Sequence, residues 1–204
     1  MVCPCCQNIS IAIFIKSEYK YYQCSDCKTI FTPNGINQEG LVGGKFEEER
    51  NEKENEDRIG RGALLVGCAG RYLDFGCGHG LLVRDLLVKG LRSDGYDMYN
   101  PDFNVIPPGK KYNLIYLIET IEHFSQPYSE LDMILYLLAE NGVVYIETSF
   151  IDTLEEPFDN NFYIAPEVGH STVFSHKGLD ALMTRKGFQT VTPINGNVRL
   201  YQKP

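Results

Sequence analysis

The sequence predicts an α/β protein: a mostly parallel sheet covered by helices on both faces, with a small cysteine-rich unit ahead of it. Past residue 70, short apolar runs of strand type alternate with segments whose apolar residues keep helical spacing. The first of those runs ends in glycines at alternate positions, Gly76, Gly78 and Gly80, directly before a helical segment. Five of the seven cysteines, Cys3, Cys5, Cys6, Cys24 and Cys27, crowd the N-terminus, leaving only Cys68 and Cys77 beyond it.

Taken in order, residues 9–15, 19–23 and 29–32 supply three short strands, and the Thr32-Pro33-Asn34-Gly35 turn closes a separate unit at about residue 32. Residues 33–62 read as a charged connector. Nearly every residue from Phe46 to Arg58 is ionisable, and Glu49/Lys53, Glu54/Arg58 and Asp57/Arg61 are spaced i,i+4 with the acid first, as a solvated helix prefers. The third unit is 63–204. There, 71–75 (RYLDF) is a strand and 81–89 a helix closed by Gly90. A strand at 93–96 is followed by Asp97, and 113–118 (NLIYLI) is a buried-type strand. Leu131, Ile134, Leu135 and Leu138 form a helical stripe before an Asn141-Gly142 stop, with a strand at 143–148 after it. Leu179, Leu182 and Met183 form the last stripe, capped by Ser175 and closed by Gly187. Strands at 188–193 and 197–202 pair around Asn195-Gly196.

Composition removes several classes. With 19 Lys plus Arg against 27 Asp plus Glu the chain carries −8, so its field repels phosphate backbones and disfavours nucleic-acid partners. No apolar run approaches the roughly 18 residues of a membrane span, and no secretory leader opens the sequence, so a cytoplasmic protein without a membrane partner is expected. Thiols there stay reduced, which favours metal binding over disulfides.

Cys3 to Cys6 and Cys24 to Cys27 each make a C-x2-C step, with residues 7–23 between them. Four thiolates in two such turns can surround one tetrahedral Zn²⁺, and with three strands the unit resembles a zinc ribbon. The expected ligands are Cys3, Cys6, Cys24 and Cys27. Cys5 is either spare or replaces Cys3, and iron or a redox dithiol are the other readings of such cysteines. A unit this small buries too little apolar surface to fold alone, so the metal would supply its folding energy and its role is structural or docking.

The stretch 72–80 (YLDFGCGHG) turns a strand sharply into a helix. Its G-x-G-x-G spacing departs from the G-x-G-x-x-G of dinucleotide folds, and Asp74 suits an amino-bearing ligand. Asp97 stands where a carboxylate accepts ribose hydroxyls. DFGCGHG followed by GYD resembles the cofactor site of the class I S-adenosylmethionine-dependent methyltransferases. Residues 112–123 (YNLIYLIETIEH) resemble that family's fourth strand and following loop, and 170–188 resemble the stretch before its last strands in the small-molecule branch. The likeness covers about 60–204. It implies a Rossmann-like seven-stranded sheet with the last strand antiparallel. It also implies S-adenosyl-L-methionine held by Asp74 at the ammonium, by Gly76, Cys77, Gly78 and Gly80 along the loop, by Asp97 at the ribose and by Glu119 near the sulfonium. Only residues 98–111 are available where the family fits a helix and a strand, so 103–106 is at most a remnant strand and the adenine side is open.

Methyl transfer is an in-line displacement that needs a held nucleophile and, for a hydroxyl, a proton acceptor. Of the four histidines, His79 packs in the glycine loop and His176 starts a helix. His123, after the fourth strand, and His170, in the long loop 149–172, are the candidate bases, each against the plainer reading of a loop hydrogen bond. That loop, with Phe150, Phe158, Phe162 and Tyr163, suits a substrate cover. The leading expectation is methylation of a small-molecule acceptor, with sugar-modifying enzymes in view. An RNA methyltransferase and a non-catalytic zinc-binding adaptor on the same fold are the alternatives. Against RNA, no N/D-P-P-Y/F/W motif follows the fourth strand, and Asn100-Pro101-Asp102-Phe103 follows the second instead.

Overall fold

The computed structural model describes residues 1–33, 36, 51–155, 157–191 and 196–204, with the side chains of 51–53 excepted. The Asn34-Gly35 turn, the Glu49/Lys53 pair, most of the connector and Asn195 lie outside the described residues.

The N-terminal strands are β1 (Ser10–Lys16), β2 (Tyr19–Cys24) and β3 (Ile30–Phe31). The larger sheet is built from β4 (Arg71–Phe75), β5 (Arg92–Tyr96), β6 (Tyr112–Ile118) and β7 (Leu138–Glu147), completed by β9 (Gln189–Thr190) and β10 (Val198–Gln202). Between β7 and β9 a two-residue strand, β8 (Thr172–Val173), leaves this sheet and joins the other. The helices are α1 (Asn51–Val66), α2 (Leu81–Val88), α3 (Pro127–Leu137) and α4 (His176–Arg185).

Among the described residues the main sheet has six strands in the order β5-β4-β6-β7-β10-β9, not seven. β5, β4, β6 and β7 run parallel, and β10 lies antiparallel to both β7 and β9. The expected 103–106 strand is absent, since 98–111 is too short to cross over and also add a parallel strand. β5 is therefore an edge. Charged side chains blunt it: Lys110 holds the Asp94 carboxylate at 2.7 and 2.9 Å, and the Tyr112 hydroxyl donates to the same group.

The Asn141-Gly142 pair does not stop a helix either. α3 ends at Leu137 and β7 begins at the next residue, with Asn141 in the left-handed region (φ 57°) inside the strand. Ser175 caps α4 by accepting from the Gly178 N–H at 2.8 Å, and Gly187 leaves it at φ 86°, as the sequence predicts.

Two cores sandwich the sheet. α1 and α2 cover one face, where Ile59, Leu82 and Leu86 meet Tyr72, Leu114, Tyr116 and Tyr145. α3 and α4 cover the other through Leu131, Ile134, Leu179, Leu182 and Met183. The expectation of a solvated connecting helix is corrected here, because α1 buries Asn55, Arg58 and Ile59. Its buried face is polar and small-residued, so no apolar stripe announces it. Gly62 lets the Tyr116 hydroxyl approach to where a Cβ would stand 2.1 Å from it, and that hydroxyl donates to the Arg58 carbonyl. Arg58 grips the Glu147 carboxylate at 3.1 and 2.5 Å and Glu54 at 3.3 Å. Breaking a buried pair strands the partner charge, so Arg58→Ala should lower stability by about 3–5 kcal/mol in chemical denaturation, far beyond an exposed Arg-to-Ala change.

The cysteine-rich unit is not free-standing. β3 pairs antiparallel with β8, giving a second sheet of order β1-β2-β3-β8. Cys3, Cys5, Cys24, Cys27 and Phe31 share one core with Leu179, Leu182 and Met183. Ser175 Oγ donates to the Cys27 carbonyl, Lys177 pairs with Asp26 at 2.5 Å, and Arg185 donates to the Cys5 carbonyl at 2.5 Å.

Candidate active site

The chain leaves β4 toward β5 on one side and returns through β6 on the other, so the carboxyl ends of β4 and β6 flank a topological switch point, where open α/β sheets bind ligands. The glycine loop stands at the end of β4. Gly76, Gly78 and Gly80 have φ of 83°, 52° and 76°, a region that favours glycine. At two of them the close approach is made by the protein itself. A Cβ on Gly76 would lie 2.4 Å from Thr120 Oγ1, and one on Gly80 would lie 2.4 Å from the Phe103 ring. Thr120 thereby locks the glycine loop to the segment after β6. Phe103, in the turn that replaces the expected strand, packs on Gly80 and Gly95.

Asp97, just past β5, is tied into that loop. Its Oδ2 accepts from the Gly78 N–H at 3.0 Å, and Oδ1 accepts from the Tyr99 and Asn100 N–H groups at 2.9 and 3.1 Å. Asn100 returns a bond to the Gly78 carbonyl at 2.6 Å. A carboxylate has about four acceptor positions, so Asp97 keeps capacity for a ligand hydroxyl. Asp74 is buried at the end of β4, level with Gly95 and Tyr116 on the neighbouring strands, and Cys77 is buried with its sulfur facing Gly95. His79 is exposed, and His176 is pinned at the start of α4 by Asp152 at 3.0 Å.

After β6 the chain passes through Glu119 in the left-handed region (φ 45°), which is unusual for a residue with a side chain. A short 3-10 turn, Ile121–His123, follows. It brings Glu119, Glu122 and His123 together beneath the loop 149–172. That loop is anchored from within, where the Tyr163 hydroxyl reaches Glu122 Oε1 at 2.6 Å, Glu119 Oε2 at 3.2 Å and Thr148 Oγ1 at 2.9 Å. Tyr163, Ile164 and Ile151 pack on Tyr21 and Ile30 of the N-terminal sheet, which thus supports the loop. Phe150 is fully buried, and Phe162 is 83 % exposed.

His123 and His170 meet with ring centroids 4.9 Å apart. His170 Nδ1 is 2.6 Å from the Tyr163 carbonyl, so that nitrogen carries the proton and Nε2 the lone pair. Burial lowers both histidines, His123 to about 4, so both are neutral at pH 7. Burial and then the neighbouring Glu122 push Glu119 up to about 8, and burial raises Glu122 as well. Glu122 and Tyr163 were not singled out as site residues from sequence. The run E-T-I-E-H was visible, but Tyr163 is 41 residues from Glu122 and only the fold joins them.

At the other end of the chain one sulfur from each of Cys3, Cys6, Cys24 and Cys27 lies within 4.8 Å of the rest, with Cys3–Cys27 at 3.6 Å and Cys6–Cys24 at 3.4 Å. A Zn–S length of about 2.3 Å in a tetrahedron sets sulfurs roughly 3.8 Å apart, so the four cysteines fit the ion. Cys5 is fully buried and stands outside the four.

Residues 45–192 match the family model described as a methyltransferase domain. No curated protein matches the chain. Among solved structures it is similar to a 1,6-didemethyltoxoflavin-N1-methyltransferase from Burkholderia thailandensis, at TM-score 0.59 and 14% identity over 88% of this chain and 97% of that one. It is also similar to a S-adenosylmethionine-bound amino pentose methyltransferase from Micromonospora echinaspora, at TM-score 0.55 and 14% identity over 76% and 93%. A third likeness is to an N-methyltransferase from Bradyrhizobium japonicum in complex with S-adenosylhomocysteine, at TM-score 0.54 and 13% identity over 80% and 95%. At these identities the likeness is one of fold.

Proposed function

The chain belongs to the methyltransferase-domain family and is an S-adenosylmethionine-dependent methyltransferase, and from that premise we propose that it methylates a small molecule, with sugar-related acceptors first in view. The observation that carries this reading is the joining of Asp97 to the Gly78 N–H at the switch point, which makes the glycine loop and the acid after β5 one cradle. In that cradle Asp74 would hold the cofactor's ammonium, Gly76, Cys77, Gly78 and Gly80 its amino-acid and ribose portions, Asp97 the ribose hydroxyls, and Glu119 would lie beside the sulfonium. Phe103, seated on Gly80 and Gly95, closes the side that a seventh strand would otherwise bound.

The bound cofactor supplies an electrophilic methyl group on sulfur. As the acceptor's nucleophilic atom forms its bond to the methyl carbon, the carbon–sulfur bond breaks and its electron pair stays on sulfur. The protein's tasks are to hold the acceptor in line and to take its proton. The neutral His123–His170 pair would stand on the acceptor side of Glu119, and Tyr163 packs on His170 with ring centroids 4.5 Å apart. Zn²⁺ at Cys3, Cys6, Cys24 and Cys27 has a structural task in this reading, bracing the sheet on which the Tyr163 loop rests. The acidic surface, at −8 overall, favours a small-molecule acceptor over RNA.

Isothermal titration with S-adenosylhomocysteine tests the reading. A 1:1 isotherm with a Kd in the micromolar range or tighter is expected, and no heat at high micromolar ligand would sink it.

A further inference from the structure

The His123–His170 pair does not stand alone. Glu122 brings a carboxylate oxygen to the same point, so that one ligand atom from each of the three residues lies within 4.8 Å of the others. We propose that Glu122, His123 and His170 bind a divalent first-row transition cation that faces the acceptor.

Glu122 is 0 % exposed, its Oε1 takes the Tyr163 hydroxyl, and its Oε2 is buried without a hydrogen-bond partner. A fully buried carboxylate normally has its lone pairs satisfied or its charge paired. Its hydrogen-bonding neighbours, Tyr163, Glu119 and Thr148, bring no positive charge to it. A divalent cation would satisfy the open oxygen and the charge together.

Each imidazole has a main-chain partner. His170 spends Nδ1 on the Tyr163 carbonyl, and His123 bonds the Gly169 main chain. A main-chain bond on one ring nitrogen fixes the tautomer and turns the other toward a metal, an arrangement usual around metal-bound histidine. Two imidazole nitrogens and one carboxylate oxygen suit zinc, cobalt, nickel, iron or manganese better than magnesium or calcium. At metal–ligand lengths of about 2.1 Å, ligand atoms sit roughly 3–4 Å apart, so the three groups need close by at most about 1–2 Å. Three protein ligands leave coordination positions open, as in sites that bind a substrate atom.

The inference rests on the methyltransferase reading for its purpose. A hydroxyl of the acceptor bound at the open position would lose its proton more readily, and the proton would pass to solvent. The oxygen then attacks the methyl carbon as the carbon–sulfur bond breaks. His123 and His170 would serve that step as ligands.

The test uses the full chain with its four-cysteine cluster first loaded with Zn²⁺, titrated with Co²⁺ and followed by absorption. One further equivalent should bind with visible d–d bands and no near-ultraviolet thiolate band, which separates nitrogen–oxygen ligation from the cysteines. Glu122→Gln and His170→Gln should each weaken Co²⁺ at least tenfold while binding S-adenosylhomocysteine as the wild type does, which shows that they are folded. No Co²⁺ uptake beyond the cysteines, uptake with a thiolate band, or equal affinity in both folded variants would overturn the site. Co²⁺ uptake of the expected kind by a protein that ignores S-adenosylhomocysteine upholds the site and removes the methyltransferase reading instead.

Discussion

Asp97→Ala is expected to weaken S-adenosylhomocysteine at least 100-fold, so that calorimetry at micromolar protein records no binding. Two losses combine. In the proposed site the ribose hydroxyls would lose a carboxylate acceptor, an interaction worth about 1.5–3 kcal/mol. The N–H groups of Gly78, Tyr99 and Asn100 lose the carboxylate that orders them, and Gly78 at φ 52° is then free to let the loop relax. A 100-fold change is about 2.7 kcal/mol, within the reach of either loss with part of the other. Asp97→Asn keeps one oxygen and should fall between. Wild-type affinity in Asp97→Ala would place the cofactor elsewhere in the fold.

Cys27→Ser is expected to abolish zinc binding and to unfold the N-terminal sheet, with loss of activity from a residue far from the reacting atoms. Structural zinc sites contribute about 10–16 kcal/mol in small metal-folded peptides, against a stability of about 5–15 kcal/mol for a whole domain. The damage would spread, because the Cys27 carbonyl accepts from Ser175, and β3 starts three residues later and pairs with β8 beneath the Tyr163 loop. Metal analysis of the wild type in zinc-replete medium should give at least one Zn²⁺ per chain, and less than half an ion would count against the site. Cys5→Ala should retain the ion, since Cys5 stands outside the four sulfurs, and a zinc loss equal to that of Cys3→Ala would contradict that placement.

What could be read in the sequence was what is decided locally. The β4–glycine loop–α2 passage is set by left-handed glycines and a strand five residues long, and α4 by Ser175 at one end and Gly187 at the other. The cysteine spacing brought the four sulfurs to one point, but left Cys3 and Cys5 tied until the fold separated them. Three features lay beyond reach for one reason: each depends on contacts between distant residues. α1 hides its buried face because Asn55, Arg58 and Gly62 interrupt it around the single buried apolar residue Ile59, and its anchor, Glu147, is 89 residues away. The seventh strand was carried over from a family pattern that the short 98–111 segment cannot fill. The Glu119–Glu122–Tyr163 cluster exists only because a loop folds back onto the turn after β6.

The pairing of β3 with β8 also fixes an order of assembly. Thr29 and Ser175 are hydrogen-bonded across 146 residues of chain. During synthesis the cysteine-rich segment is made well before β8, the strand that completes its sheet. Long-range pairings of this kind raise contact order and slow folding. The early metal site would therefore mark one end of a clasp that snaps shut last, and a chain cut short before residue 172 would lose the strand that closes its beginning as well as its end.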